Sequence, residues 1–251
     1  MQRYSELLPR SATRGYHHAL PSDIALLGVP DLERVGPVDL VIAGWPCQGH
    51  TRARRGKGLR DPRSGMFYEM LRVLRYLQEL QARPPTYILE NVPMLGDTRA
   101  QVLASVHQVR SWIEPTVLLD AASVGSRAHR LRLWWTNLLP REVLRRAFDA
   151  VQRPDDLTVD SILDGGRRSQ VVRTADRSPM AQVNQVGEPQ VALPTLLSAP
   201  ASYAYRDGGP GLVWDTRVQQ LVEPNADERK RAMGFATGVT AVPSISKASR
   251  R

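Results

Sequence analysis

Two short apolar runs with one helical repeat between them constrain this chain more than anything else in it. Residues 38–44 read VDLVIAG and residues 86–89 read TYIL, each bounded by Gly or Pro. Runs this short and this apolar are expected to be strands buried inside a sheet. Between them, residues 64–80 (SGMFYEMLRVLRYLQEL) carry apolar side chains at helical spacing, and Pro84-Pro85 breaks the helix. Residues 115–120 (PTVLLD) and 130–135 (RLRLWW) read as two more strands, and residues 98–112 as another helix. Strands alternating with helices predict an α/β fold: a parallel or mixed sheet with helices on both faces. Ligands of such sheets lie beyond the carboxyl ends of the strands.

From about residue 151 to 223 the chain changes character. Pro, Gly, Ser and Arg are frequent and periodicity is weak, so this is expected to be a loop-rich insertion rather than a second α/β unit. Order returns at residues 224–228 (PNADE), where Asn225 is placed to cap a helix and Glu228 stands three residues on. The expected organisation is a core over 1–150, an insertion over 151–223, and a return helix with the end of the core over 224–251. The sequence contains no internal repeat.

At 251 residues the chain can bury the core of one α/β domain. Its net charge is +9, carried by 31 Arg and only 3 Lys. That balance fits a polyanion, which Arg binds in a two-pronged fashion. GC-rich coding gives the same bias, so both explanations stand. No apolar run approaches membrane-spanning length, and the first twenty residues are too polar for a signal peptide. No membrane partner is expected. His17-His18 has no further ligands at metal spacing, so no metal site is expected. A single cysteine makes no internal disulfide, which points to a reducing compartment: the nucleus in a eukaryote, otherwise the cytoplasm.

That cysteine, Cys47, lies in GWPCQGH, directly after the first strand. A free cysteine is most often a small buried hydrophobe. Here the preceding proline puts it in a turn, and Arg52, Arg54, Arg55 and Lys57 follow closely. Positive charge favours the thiolate, the nucleophilic form. Glu90 ends the strand that begins at residue 86, so a nucleophile and a carboxyl group meet at one sheet edge. That combination suits covalent catalysis on an electron-poor ring.

These residues carry a resemblance. Pro46-Cys47-Gln48, Glu90-Asn91-Val92, Arg130-Leu131-Arg132 and Arg231-Ala232-Met233-Gly234-Phe235 resemble, in order, the motifs of the cytosine-5 DNA methyltransferases. Ala128-His129-Arg130 is closest to the vertebrate de novo type. The resemblance implies a Rossmann-like methyltransferase sheet with a target-recognition insertion, acting on duplex DNA with S-adenosylmethionine as methyl donor. It implies that Cys47 adds to carbon 6 of a flipped cytosine and that Glu90 engages ring N3. Arg130 and Arg132 would then hold the pyrimidine carbonyl and a phosphate. Asp23, Ile24 and Pro46 would touch the donor, while Gln48, Asn91 and Val92 support the turns. For Asp23 a plain helix cap is an equal reading. Residues 50–63 would close on DNA, with Arg52, Arg54, Arg55 and Lys57 meeting phosphate. Arg167, Arg168, Arg173 and Arg206 are either DNA contacts of the insertion or ordinary exposed arginines.

The family's opening strand with its Gly-rich loop, and its closing GN-x-V element, have no counterpart in these 251 residues. The expectation is therefore a partial fold lacking much of the donor side, with an open apolar edge along residues 38–44. A second chain would complete it. Two other readings stay open: a nucleic-acid-binding remnant without activity, and an RNA cytosine-5 methyltransferase.

Overall fold

The computed structural model describes residues 20–47, 58–94, 102, 117–151, 156–172, 179–180, 188–196 and 204–239. The chain divides into two compact units. One is Met1–Leu118 with Arg132–Arg145, the other Leu119–Leu131 with Arg146–Arg251.

The first unit is built on α1 (Val29–Val35), β1 (Leu40–Gly44), α2 (Met66–Leu80) and β2 (Thr86–Asn91). Strands β1 and β2, with β3 (Val117–Asp120) and β4 (Leu131–Thr136), form a four-stranded sheet in the order β1-β2-β4-β3. β1 runs parallel to β2, and β2 antiparallel to β4, so the sheet is mixed. The α2 repeat does what its spacing requires. Phe67, Met70, Leu71 and Leu74 are buried against Tyr87, Leu89, Leu133 and Trp135 of the sheet. Each such side chain contributes about 1.5–3 kcal/mol. The helix expected over 98–112 lies outside the described residues except for Val102, which is buried.

Two details differ from expectation. The first strand begins at Leu40, because Val38 is already engaged: its backbone N–H donates to Gln81 Oε1 (2.7 Å) and its carbonyl accepts from Gln81 Nε2 (3.0 Å). Nor is β1 buried inside the sheet; it has the open apolar edge expected where the family's opening strand has no counterpart. It is the edge strand, and Leu40 and Ile42 are 44% and 70% exposed. The apolar run therefore marks an edge that, among the described residues, pairs on one side only.

The second unit holds β5 (Arg167–Ser169), β6 (Val171–Val172), β7 (Pro179–Met180), β8 (Glu188–Pro189), β9 (Val213–Asp215) and β10 (Gln220–Val222). They form two antiparallel three-stranded sheets, β10-β9-β5 and β7-β6-β8. Ala128, Val159, Ile162, Leu193, Val213 and Ala232 make its core. The last described helix follows α3 (Arg141–Asp149) and is α4 (Ala226–Ala232). It starts on the expected capping box. Asn225 Oδ1 accepts from the N–H of Asp227 and Glu228, and Glu228 Oε2 accepts from the N–H of Asn225 (2.7 Å). Such a cap stabilises by about 1 kcal/mol. Gly234, at φ +85°, ends the helix in the left-handed region that suits a residue without Cβ.

Candidate active site

The parallel register Gly44↔Glu90 brings the carboxyl ends of β1 and β2 level. Gly44 then leaves room for Glu90. A Cβ on Gly44 would stand 3.3 Å from Glu90 Oε2, tighter than ordinary contact. The other oxygen, Glu90 Oε1, accepts from Arg132 Nε at 2.8 Å. Both side chains are largely buried, so the pair is shielded from water and held in one orientation. Cys47 follows Gly44 by three residues and is a free, half-buried thiol.

The turn carrying Cys47 is tied down from two sides. Trp45 is buried and packs on Phe67 and Trp135, with ring centroids 4.9 and 5.3 Å away. Its carbonyl accepts from Asn91 Nδ2 (3.1 Å), while Asn91 Oδ1 accepts from the Val92 N–H (2.7 Å). Asn91 is 1% exposed. The sequence placed Asn91 beside Glu90; the structure adds that it also fastens the turn before the cysteine. A carboxylate, a guanidinium and a thiol at neighbouring strand ends can hold a planar polar ring and present a nucleophile to it.

Arg130 belongs to the second unit, and Arg132 to the first. Arg130 is exposed, and its backbone N–H donates to Asp120 Oδ1 (2.8 Å). Asp120 also accepts from Ala122 N–H (3.1 Å) and contacts His129 Nδ1 (2.9 Å). Burial pushes the Asp120 carboxyl up, but the His129 hydrogen bond and the two N–H groups outweigh it and hold it below its ordinary value.

On the proposed donor side, Asp23 Oδ1 caps the short 3-10 turn Ile24–Leu26 by accepting from Ala25 N–H (2.9 Å). Ile24 packs against both core clusters of the first unit. Arg72, which sequence reasoning passed over, holds this turn: its guanidinium donates to the carbonyls of Leu27 (2.7 Å) and Ile24 (2.9 Å). Pro46 is half-buried beside Cys47, and Val92 is half-buried after Asn91. Gln48, Arg52, Arg54, Arg55, Lys57 and Arg173 lie outside the described residues. Arg167 is a structural residue: it bridges Asp215 (3.0 Å) and the buried Glu228 (2.8 Å). Arg168 and Arg206 are exposed. Among the described residues no group of three His, Cys, Asp or Glu suits a metal ion, and no helix is long and apolar enough to cross a membrane.

Comparison with known proteins points to one family. Residues 21–140 match the family described as C-5 cytosine-specific DNA methylase. The Type II methyltransferase M.NlaX of Neisseria lactamica is 30% identical over 118 residues, 45% of this chain and 36% of that protein. M.BanI of Aneurinibacillus aneurinilyticus is 29% identical over 106 residues, 40% of this chain and 23% of its own length. The chain thus spans about a third or less of these relatives. Two solved structures share the fold: the Entamoeba histolytica methyltransferase EhMeth and the S. pombe Dnmt2 methyltransferase. Their TM-scores are 0.52 and 0.51, at 14% and 17% identity, covering 92% and 91% of this chain and 75% of each of theirs.

Proposed function

We propose, from the match of residues 21–140 to the C-5 cytosine-specific DNA methylase family, that this chain carries out the target-base half of methyl transfer to carbon 5 of cytosine in duplex DNA. The observation that carries this reading is the Glu90–Arg132 pair seated against Gly44, with the Cys47 turn tied to β2 through Asn91. Cytosine must leave the base stack to reach such a site. The Cys47 thiolate adds to carbon 6, and the electrons of the 5,6 double bond pass into the ring. Glu90, oriented by Arg132, takes up a proton as the flipped base binds and gives it to N3 as negative charge develops there. Carbon 5 is now nucleophilic. After it is alkylated, its proton passes to water, the 5,6 double bond reforms with expulsion of Cys47 as the thiolate, and N3 returns its proton to Glu90.

S-adenosylmethionine, which the family uses, supplies the methyl group when bound. The described residues fit only part of it. Asp23, whose Oδ2 has no partner among the described residues, and Ile24 would meet the adenine side, and Pro46 the methyl side. Nothing described receives the charged methionine end. A second polypeptide that pairs with the open edge of β1 would close that side and make the chain one half of an enzyme.

Because addition of Cys47 alone makes carbon 5 basic, the chain should release tritium to water from duplex DNA containing 5-tritiated cytosine, without any methyl donor. Cys47→Ala should abolish release, and Glu90→Gln should slow it by about a hundredfold, the lower end of the range for general acid–base catalysis. Release that persists in Cys47→Ala would refute the reading.

A further inference from the structure

In the second unit a surface turn is fixed by more internal bonding than its exposure would suggest. Arg206 to Gly209 form a tight turn closed by Gly209 N–H on the Arg206 carbonyl (2.8 Å). Its central residues, Asp207 and Gly208, both have positive φ, at 52° and 76°. That is the type I′ pattern, for which Asp-Gly is a favoured pair. Two buried glutamines then serve the turn. Gln170, 1% exposed, donates from Nε2 to the carbonyls of Gly209 (2.8 Å) and Leu212 (3.0 Å). Gln190, also buried, donates to the Pro210 carbonyl (3.1 Å). Gly211 donates its N–H to the Ala204 carbonyl (2.7 Å), and a Cβ there would clash at 2.8 Å. Beneath the tip, buried Tyr205 packs under the Arg229 guanidinium, 4.9 Å from ring centroid to Cζ.

This scaffold presents two side chains. Arg206 and Asp207 are exposed, and among the described residues neither side chain has a hydrogen bond or ion pair. We propose that the Arg206–Gly209 turn is a base-reading tip, and that Arg206 recognises a guanine through O6 and N7 in the major groove of duplex DNA. The inference rests on the DNA reading above. A guanidinium fork matches those two acceptors, and the match needs a fixed backbone. A phosphate contact would be the simpler role for an arginine. It is disfavoured here by the neighbouring Asp207 carboxylate, which repels phosphate but is compatible with a base edge, where a carboxylate accepts from the cytosine amino group.

The test is selection by the full chain from a pool of duplexes with random bases flanking a fixed cytosine, at one salt concentration. The wild-type chain should enrich guanine at one position. Arg206→Ala and Arg206→Lys should both lose about tenfold or more of that preference, with binding to the whole pool changed by less than about threefold. The proposal is overturned if the guanine preference survives in Arg206→Ala, or if the wild-type chain selects no base. It is also overturned if Arg206→Ala weakens all sequences equally and lowers the salt slope by about one, the signature of a phosphate contact. A chain that neither binds duplex DNA nor releases tritium would remove the DNA reading itself, a result separable from loss of base preference alone.

Discussion

Gly44 and Asn91 fix the neighbouring strand ends that carry Cys47 and Glu90. The first leaves out the Cβ that would crowd the Glu90 carboxylate, and the second bonds the Cys47 turn to the end of β2. Asp120 plays a comparable part in the second unit, fastening the turn that leads to Arg130. Its carboxyl is held below the ordinary aspartate range, so it stabilises the fold fully above about pH 4 and loses that contribution as pH falls toward its folded value. Asp120→Asn should therefore unfold at a lower temperature than wild type at pH 7. The two melting temperatures should converge as pH drops below about 4. A difference that stays constant down to about pH 3 would contradict this assignment. The residue types of the site were legible in the sequence because Cys47, Glu90 and Arg132 each sit in a short motif. The bonds of Gln81 to Val38, Arg72 to Ile24 and Asn91 to Trp45 were not. Each joins a side chain to a backbone more than forty residues away and has no periodicity to betray it.

At the scale of elements, α2 and the four strands of the main sheet announce themselves through apolar spacing, and α4 through its capping box. The strands β5 to β10 do not, since two or three residues are too few for an alternating pattern. Helix α3 was not read although Val143, Leu144, Ala147 and Phe148 stand at helical spacing: it is short and charged, and none of its residues is fully buried. The apolar run at β1 was readable as a strand; its open edge was expected only from the family elements without a counterpart, since composition does not distinguish a central strand from an unpaired edge. That edge carries a prediction. Ile42 is 70% exposed, so Ile42→Lys should change the stability of the chain by less than about 0.5 kcal/mol while lowering its tendency to aggregate. Denaturant unfolding and light scattering check the two halves separately. A loss of several kcal/mol would show that the edge is covered in solution.

Across the whole molecule, part of the arginine excess is structural. Arg72, Arg132, Arg167 and Arg231 are bonded internally, which a count of 31 arginines conceals. On the proposed DNA reading, the net charge of +9 would add a phosphate-binding term that needs no methyl donor. Duplex binding should weaken steeply with salt, log K falling by about 0.9 for each phosphate neutralised, and Cys47→Ala should leave that slope unchanged. Affinity that ignores salt would remove the electrostatic account. The central claim, that Cys47 is the covalent nucleophile, is tested most directly on a duplex in which 2-pyrimidinone replaces one cytosine. That ring lacks the amino group that feeds electrons into cytosine, so it takes up a thiolate at carbon 6 without a methyl donor. Mass spectrometry of the digested complex should find the adduct on the peptide containing Cys47, with none formed by Cys47→Ala. An adduct on another residue, or one of equal yield in Cys47→Ala, would contradict the account.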